Sequence, residues 1–276
     1  MENDAALDAL GDLFGRIAAN LGFAEEAVWV ALAVFVRVGA VSAMLPGFGE
    51  QVLPARLKLA AAVAFTAAIW PAAAPLAAPA AEAASRSIGG VVGLIASEAV
   101  IGLILGLGVR LMVMALQIAG SIAAQSTAVA QVLGANATPD PMPAIGAILT
   151  LGGIALAMAA GLHVKAAAML IGSYAALPAG ATPLAGDAAA WATSRAGHIL
   201  GLAFALAAPF AAASFVYNLA LGAINRAMPA LMVAFVGAPA ITAGALLLLW
   251  AAAPEMLTRW SEALDIALID PFGPGG

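Results

Sequence analysis

Residues 196–253, AGHILGLAFALAAPFAAASFVYNLALGAINRAMPALMVAFVGAPAITAGALLLLWAAA, carry a single formal charge, Arg226. As one helix this stretch would run roughly 85 Å at 1.5 Å per residue. The hydrocarbon of a bilayer is about 30 Å thick and takes about 20 helical residues to cross. The stretch is about twice a span and must therefore fold back. Its one strong interruption is Asn225, Arg226 and Pro229: the proline lacks an amide donor, and the guanidinium is costly in hydrocarbon. A helical hairpin follows, with its tip at these three residues and arms of nearly thirty residues each. Beyond Pro254, the residues Glu255, Arg259, Glu262, Asp265 and Asp270 read as an amphipathic, net acidic tail helix ending in PFGPGG.

Composition extends this reading to the whole chain. Of 276 residues, 64% are hydrophobic and 9% charged, with a mean hydropathy of +1.05; an ordinary soluble domain is about 25% charged. Ten Lys or Arg and fifteen Asp or Glu are too few to coat a water-soluble globule of this length. The net charge of −5, without a basic run, excludes a nucleic-acid surface. The absence of cysteine excludes a disulfide framework, thiolate metal sites and Cys nucleophiles. Two isolated histidines, His163 and His198, do not make a metal cluster, and no cofactor is expected.

Upstream of the hairpin, charge-poor segments mark further spans. Ala27–Leu45 is apolar apart from Arg37, Leu59–Ala81 has no charge, and Ser87–Val109 contains only Glu98, which predicts three spans before Arg110. Gln125–Pro143 (QSTAVAQVLGANATPDPMP) is polar and interrupted by Gly134, Asn136 and three prolines, so it is expected to be a loop. Such a backbone lies outside the bilayer, or is buried in protein or lines an aqueous cavity. Ala144–Leu162 and Ala166–Gly186 supply two more apolar helices around a short polar step at His163 and Lys165. The first 26 residues hold six acids and one Arg, the reverse of a signal peptide's n-region, so no cleaved leader is expected. Leu7, Leu10, Phe14, Ile17 and Leu21 give this segment an amphipathic helical period. Arg56 and Lys58, Arg110, and Arg226 fall at alternate turns of this path, with the Ala/Pro-rich turn Pro71–Ala84 at an opposite one. The positive-inside rule directs the Arg-bearing turns to the cytoplasm and both termini outward.

Two intramembrane charges stand out. An ionised Glu98 in mid-span costs about 2.5–3.5 kcal/mol on insertion scales. It serves either a proton or ion relay or a packing contact, with Arg37 or a partner helix as the counter-charge. Arg37 either snorkels, forms a structural ion pair or loop contact, or belongs to a transport path. The helix bearing it runs to a breaking turn at Pro46, Gly47, Phe48 and Gly49. Glycines at 102, 106 and 120, among helices made largely of Ala, let backbones approach closely, so protein is the expected neighbour of many of these helices. No GxSxG, HExxH or GxSG string organises Ser, His and Asp, and the chain is not expected to be an enzyme.

Asn218–Leu231, NLALGAINRAMPAL, resembles the pattern NLALG-x-hydrophobic-NR-x-x-P-x-L of the FliR family of flagellar and type III secretion export-apparatus proteins. Phe235, Val236, Gly237 and Pro239 are similar to the stretch that leads into that family's last long helix. Arg37, Pro46 and Val52–Leu59 resemble its R…P…(I/V)P-x-R-x-K-L opening. Glu98, Gly102 and Gly106 match an E-x-x-x-G-x-x-x-G helix, Ala119, Gly120 and Gln125 an A-G…Q string, and Asp140, Pro141, Pro143 and His163 fall in order. The resemblance covers about Trp29 to Leu264.

What the resemblance implies is an all-α, polytopic membrane protein with a FliP-like N-terminal part and a FliQ-like C-terminal helical hairpin. Its segments would be an acidic amphipathic stretch at 1–26, a FliP-like helical region at 27–195, a long hairpin at 196–254 and an amphipathic tail at 255–276. It would be a structural pore subunit of the flagellar export gate, joining FliP and FliQ with FlhA and FlhB nearby, and exported flagellar proteins would be its substrates. The site would be the bacterial inner membrane, in the flagellar basal body. A virulence-type injectisome homologue and an independent transporter are the alternatives. The family's plug would map to about 125–143, with Gln125, Gln131, Asn136, Asp140 and Met142; Asn225, Arg226 and Pro229 would contact partners, and Arg37, Pro46, Glu98 and Arg110 would be buried or structural. Deleting Ala128–Ala137 is expected to make the assembled complex leak ions, and unchanged conductance would remove the seal from this reading.

Overall fold

The computed structural model describes residues 12, 13, 16, 25–50, 52–127, 143–227 and 233–273. Among them are seven longer helices and no strand: α1 (Glu25–Met44), α2 (Ala55–Ser85), α3 (Ile88–Thr127), α4 (Ala144–Ala159), α5 (Leu162–Ala176), α6 (Ala185–Ala227) and α7 (Val233–Ile269). Five of these, α1, α2, α3, α6 and α7, are long and apolar enough to cross a membrane, and α4 with α5 can supply a sixth, broken span. The protein is an all-α, polytopic membrane protein. Of the N-terminal segment, Asp12, Leu13 and Arg16 are helical, with an exposed Arg16–Asp12 pair at 2.7 Å.

The described residues form two compact units, each discontinuous along the chain. One comprises residues up to Arg110 with Gly161–Ala192 and Ala267–Gly273; the other comprises Leu111–Ala160 and Thr193–Ile266. Helices α3, α6 and α7 contribute residues to both. In the first unit α1 packs on α2, and α2 on α5. In the second, Trp260 of α7 is fully buried and donates its indole N–H to the Met112 carbonyl of α3 at 2.7 Å.

Local chemistry explains several helix ends. Ser87 stands before α3 and its hydroxyl accepts the Gly90 N–H at 3.0 Å, an N-cap bond. Gly161 separates α4 from α5 at φ 80°, a left-handed conformation that side chains resist. Helix α5 ends at Ala176, where Pro178, Gly180 and Pro183 begin a non-helical segment.

Several boundaries differ from the sequence expectation. Pro71–Ala84 is not a turn: α2 continues through Pro71, Pro75 and Pro79 to Ser85. The prolines are four residues apart and sit on the exposed face, so their rings and missing amides leave the packed face intact. Arg110 is not at a turn either. It lies inside the 40-residue α3, where its partner Glu50 removes the reason for the helix to stop. Gln125 is helical and exposed in the last turn of α3 rather than in a loop; Gln131, Asn136, Asp140 and Met142 lie outside the described residues. His163 and Lys165 belong to the first turn of α5, not to a loop. Helix α6 begins at Ala185, so 177–184 is the break and Ala166–Gly186 is not one helix. The helices on either side of the expected tip, α6 and α7, have 43 and 37 residues, longer than nearly thirty, because α6 already begins at Ala185 and α7 runs on through Pro254 to Ile269. No separate tail helix begins at Glu255.

Glycine sets the closest helix approaches. A Cβ on Gly102 would sit 2.5 Å from the Arg37 carbonyl oxygen, and one on Gly106 would sit 2.7 Å from the Met44 Cβ. At Gly120 the added carbon would run into the Gly146 backbone of α4, whereas Gly201 has open space. Overfilling a packed contact costs about 1–3 kcal/mol. Gly120→Ala is therefore expected to lower the unfolding free energy of the purified protein by that order, read as a fall in denaturant midpoint, and Gly201→Ala to leave the midpoint unchanged or raise it slightly, since Ala is the better helix former.

Candidate functional site

The most polar point of the first unit is at the middle of α1. Arg37 and Glu98, one on α1 and one on α3, are both fully buried. The guanidinium makes a two-pronged contact, Nε to Oε2 at 2.7 Å and Nη2 to Oε1 at 3.1 Å. This fork geometry is the strong form of a charge-assisted bond. Two further bonds run to α5 and its end: Nη1 donates to the Ser173 hydroxyl at 3.0 Å and Nη2 to the Leu177 carbonyl at 3.0 Å. The Tyr174 ring lies under the guanidinium, 3.8 Å from its carbon, in cation–π contact.

Glu98 is also engaged from a second side. The Gly180 N–H donates to Oε1 at 2.9 Å, and Gly180 adopts φ 74°, a turn open to glycine. The pair thus ties α1, α3, α5 and the 177–184 segment together. The Ser173 hydroxyl in turn donates a hydrogen bond to the Leu170 carbonyl at 2.7 Å. Both carboxylate oxygens of Glu98 are thus held, one by a guanidinium and the other by a guanidinium and an amide.

A second clasp holds the connection between α1 and α2. Pro46 is buried, Gly47 turns the chain at φ 81°, and Glu50 reaches Arg110 at 2.6 Å. Lys58 donates to the Gly49 carbonyl at 3.2 Å, while Arg56 is exposed. Both partners of the Glu50–Arg110 pair are about one-third exposed, so it is worth less than the buried pair.

A cavity of about 450 Å³ in the first unit is lined by Ile104, Leu177, Thr182, Asp187, Trp191 and Phe272, among others. Asp187 is its one titratable side chain. Among the described residues no group of three or more His, Asp or Glu is placed to hold a metal ion.

Residues 28–266 match the family described as "Bacterial export proteins, family 1". The chain belongs to this family. It is also similar to the flagellar biosynthetic protein FliR of Caulobacter vibrioides (strain ATCC 19089 / CIP 103742 / CB 15), with 34% identity over 244 residues, covering 87% of this chain and 96% of that relative.

The motif by which the sequence resembles export proteins starts at Asn218 on α6. Its amide donates to the Ser214 hydroxyl at 3.3 Å, and Ser214 donates to the Ser126 carbonyl at 2.5 Å, near the end of α3. Within the second unit, the motif is therefore joined to the residues just before position 128. Asn225 and Arg226 lie in the last turn of α6, with Arg226 exposed; Pro229 lies outside the described residues.

Sequence reasoning singled out Arg37 and Glu98 but not their supports. Ser173, Tyr174, Leu177 and Gly180 gave no spacing signal, because they reach the pair from 136 to 140 residues beyond Arg37 or 82 beyond Glu98. A Ser-Tyr step within an apolar helix was the one available hint. Glu50 as partner of Arg110, and the buried Arg195, were also missed.

Removing one member of a buried, hydrogen-bonded ion pair costs about 3–5 kcal/mol, whereas an apolar replacement of both is often close to neutral. Glu98→Gln and Arg37→Met are each expected to reduce strongly the amount of folded protein in the membrane. The Arg37→Met, Glu98→Leu double variant is expected to recover part of that loss, as quantified by membrane immunoblot and by denaturant midpoint after purification.

Proposed function

We propose that this chain is a structural pore subunit of the flagellar type III protein export gate. It assembles with FliP and FliQ subunits, with FlhA and FlhB nearby, and helps pass unfolded flagellar proteins across the bacterial inner membrane. The observation that carries this reading is the family match over residues 28–266, reinforced by a flagellar relative aligned over nearly its full length.

The physical character of the chain supports it. A pore subunit needs long helices, surfaces that fit other helices, and no reacting groups of its own. Here the strongest polar cluster, Arg37 with Glu98, is internally satisfied and organises packing. Small residues dominate exposed helix faces, and these are drawn only weakly to lipid but suit close helix contact. Residues 27–195 serve as the FliP-like part and 196–254 as the FliQ-like hairpin, with Asn225, Arg226 and Pro229 at partner contacts and a plug at about 125–143. The chain acts without catalysis or cofactor.

An affinity-tagged chain extracted gently from flagellated cells is expected to bring FliP and FliQ with it, identified by mass spectrometry. Recovery of a solitary, stable monomer with export intact in the absence of those subunits would overturn the proposal.

A further inference from the structure

Helix α2 carries Pro71, Pro75 and Pro79 at four-residue intervals, and all three are exposed. Proline has no N–H, so the carbonyls of Ala67, Pro71 and Pro75 lack the donor that the residue four places on would supply. The spacing lines these carbonyls along one strip of the helix. The packed stripe of α2 is Ile69, Ala73, Ala77 and Ala81, two residues out of step with the prolines. Two residues correspond to about 200° around a helix, so the strip points away from the protein.

The helix offers little to replace the missing donors. Between Leu59 and Ala81 the side-chain donors are two, the Thr66 hydroxyl, which is engaged with the Ala62 carbonyl at 2.7 Å, and the single indole N–H of Trp70, too few for three carbonyls. Lipid tails have no donors at all, and backbone carbonyls left bare in hydrocarbon are strongly disfavoured. The exposed neighbours Ala68 and Ala72 present single methyl groups, so lipid would gain little from covering the strip. Hydropathy places 59–81 in the bilayer because it is free of charge; the backbone chemistry of its second half opposes contact with lipid.

We infer that the Pro71–Pro79 strip of α2 faces water in the assembled protein. Water donates to the three carbonyls, and the result is a wetted surface that is polar through its backbone while carrying no charged side chain. The inference stands on α2 alone and does not rest on the export-gate reading.

The chain contains no cysteine, so single thiols can be introduced without background. Ala72→Cys lies on the strip, and Val63→Cys lies on the same helix before the first affected carbonyl, at a position 52% exposed. Each full-length variant is treated in native membranes, as right-side-out and as inverted vesicles, with a charged, membrane-impermeant maleimide. The reagent reacts with the thiolate, which forms in water and not in hydrocarbon. Ala72→Cys is expected to label at least about tenfold faster than Val63→Cys from one side of the membrane. Equal, slow labelling at both positions places the strip in lipid and overturns the inference. Labelling of Ala72→Cys that is blocked in membranes but rapid once the chain is isolated in detergent assigns the strip to a covering subunit, and overturns it equally. Ala68→Cys, just over one turn earlier on the exposed face, repeats the test should Ala72→Cys fail to accumulate.

Discussion

A guanidinium sealed in an apolar interior must satisfy its donors there, and the first unit of this protein is arranged around that requirement. Arg37 finds a carboxylate on α3, a hydroxyl on α5, a backbone carbonyl just past the end of α5 and an aromatic face. Glu98 in turn takes the Gly180 amide. Together these bonds reach α3, α5 and the 177–184 segment. Low surrounding dielectric strengthens such bonds and makes any missing one expensive. The cluster therefore specifies one arrangement of α1, α3 and the 177–184 segment more sharply than Ala-rich packing could, since Ala on Ala leaves many registers nearly equal in energy.

Close approach of backbones is the second constraint, and it works with the first. Gly102 lies four residues after Glu98 on α3, so the turn that supplies the carboxylate also lets α1 come near at the Arg37 carbonyl. Gly106 repeats the contact at Met44. In the second unit, Gly120 against Gly146 plays the same part, and the buried Trp260 supplies the bulk and the hydrogen bond that small residues lack. Packing density is maintained by alternating very small residues with a few large anchors.

These features give the proposed pore subunit its packing. The interhelical charges Arg37 and Arg110 are paired with Glu98 and Glu50, the 450 Å³ cavity holds one carboxylate, and Asn218 of the motif on α6 is engaged in a hydrogen-bonded chain through Ser214 to Ser126. Long helices with small side chains offer shape instead of chemistry, which is what a subunit in the wall of a protein-conducting assembly would contribute.

Much of the architecture could be read directly from residue order. The scarcity of charge and the length of the apolar runs dictate a polytopic helical protein, because hydrocarbon admits backbone only when its hydrogen bonds are internally closed. Arg37 and Glu98 announced themselves as the two charges that most needed a partner. The spacing of Gly102 and Gly106 announced a close helix contact. Helix ends were less legible: prolines 71, 75 and 79 looked like a turn because each one weakens a helix, and whether three can be carried depends on which face they occupy. Arg110 looked like the end of a span because its partner, Glu50, is sixty residues earlier. Local order thus determined which segments are helical and which charges must pair. Tertiary structure decided who the partners are, through Ser173, Leu177 and Gly180, since burial and long-range hydrogen bonding depend on distances that sequence spacing does not encode.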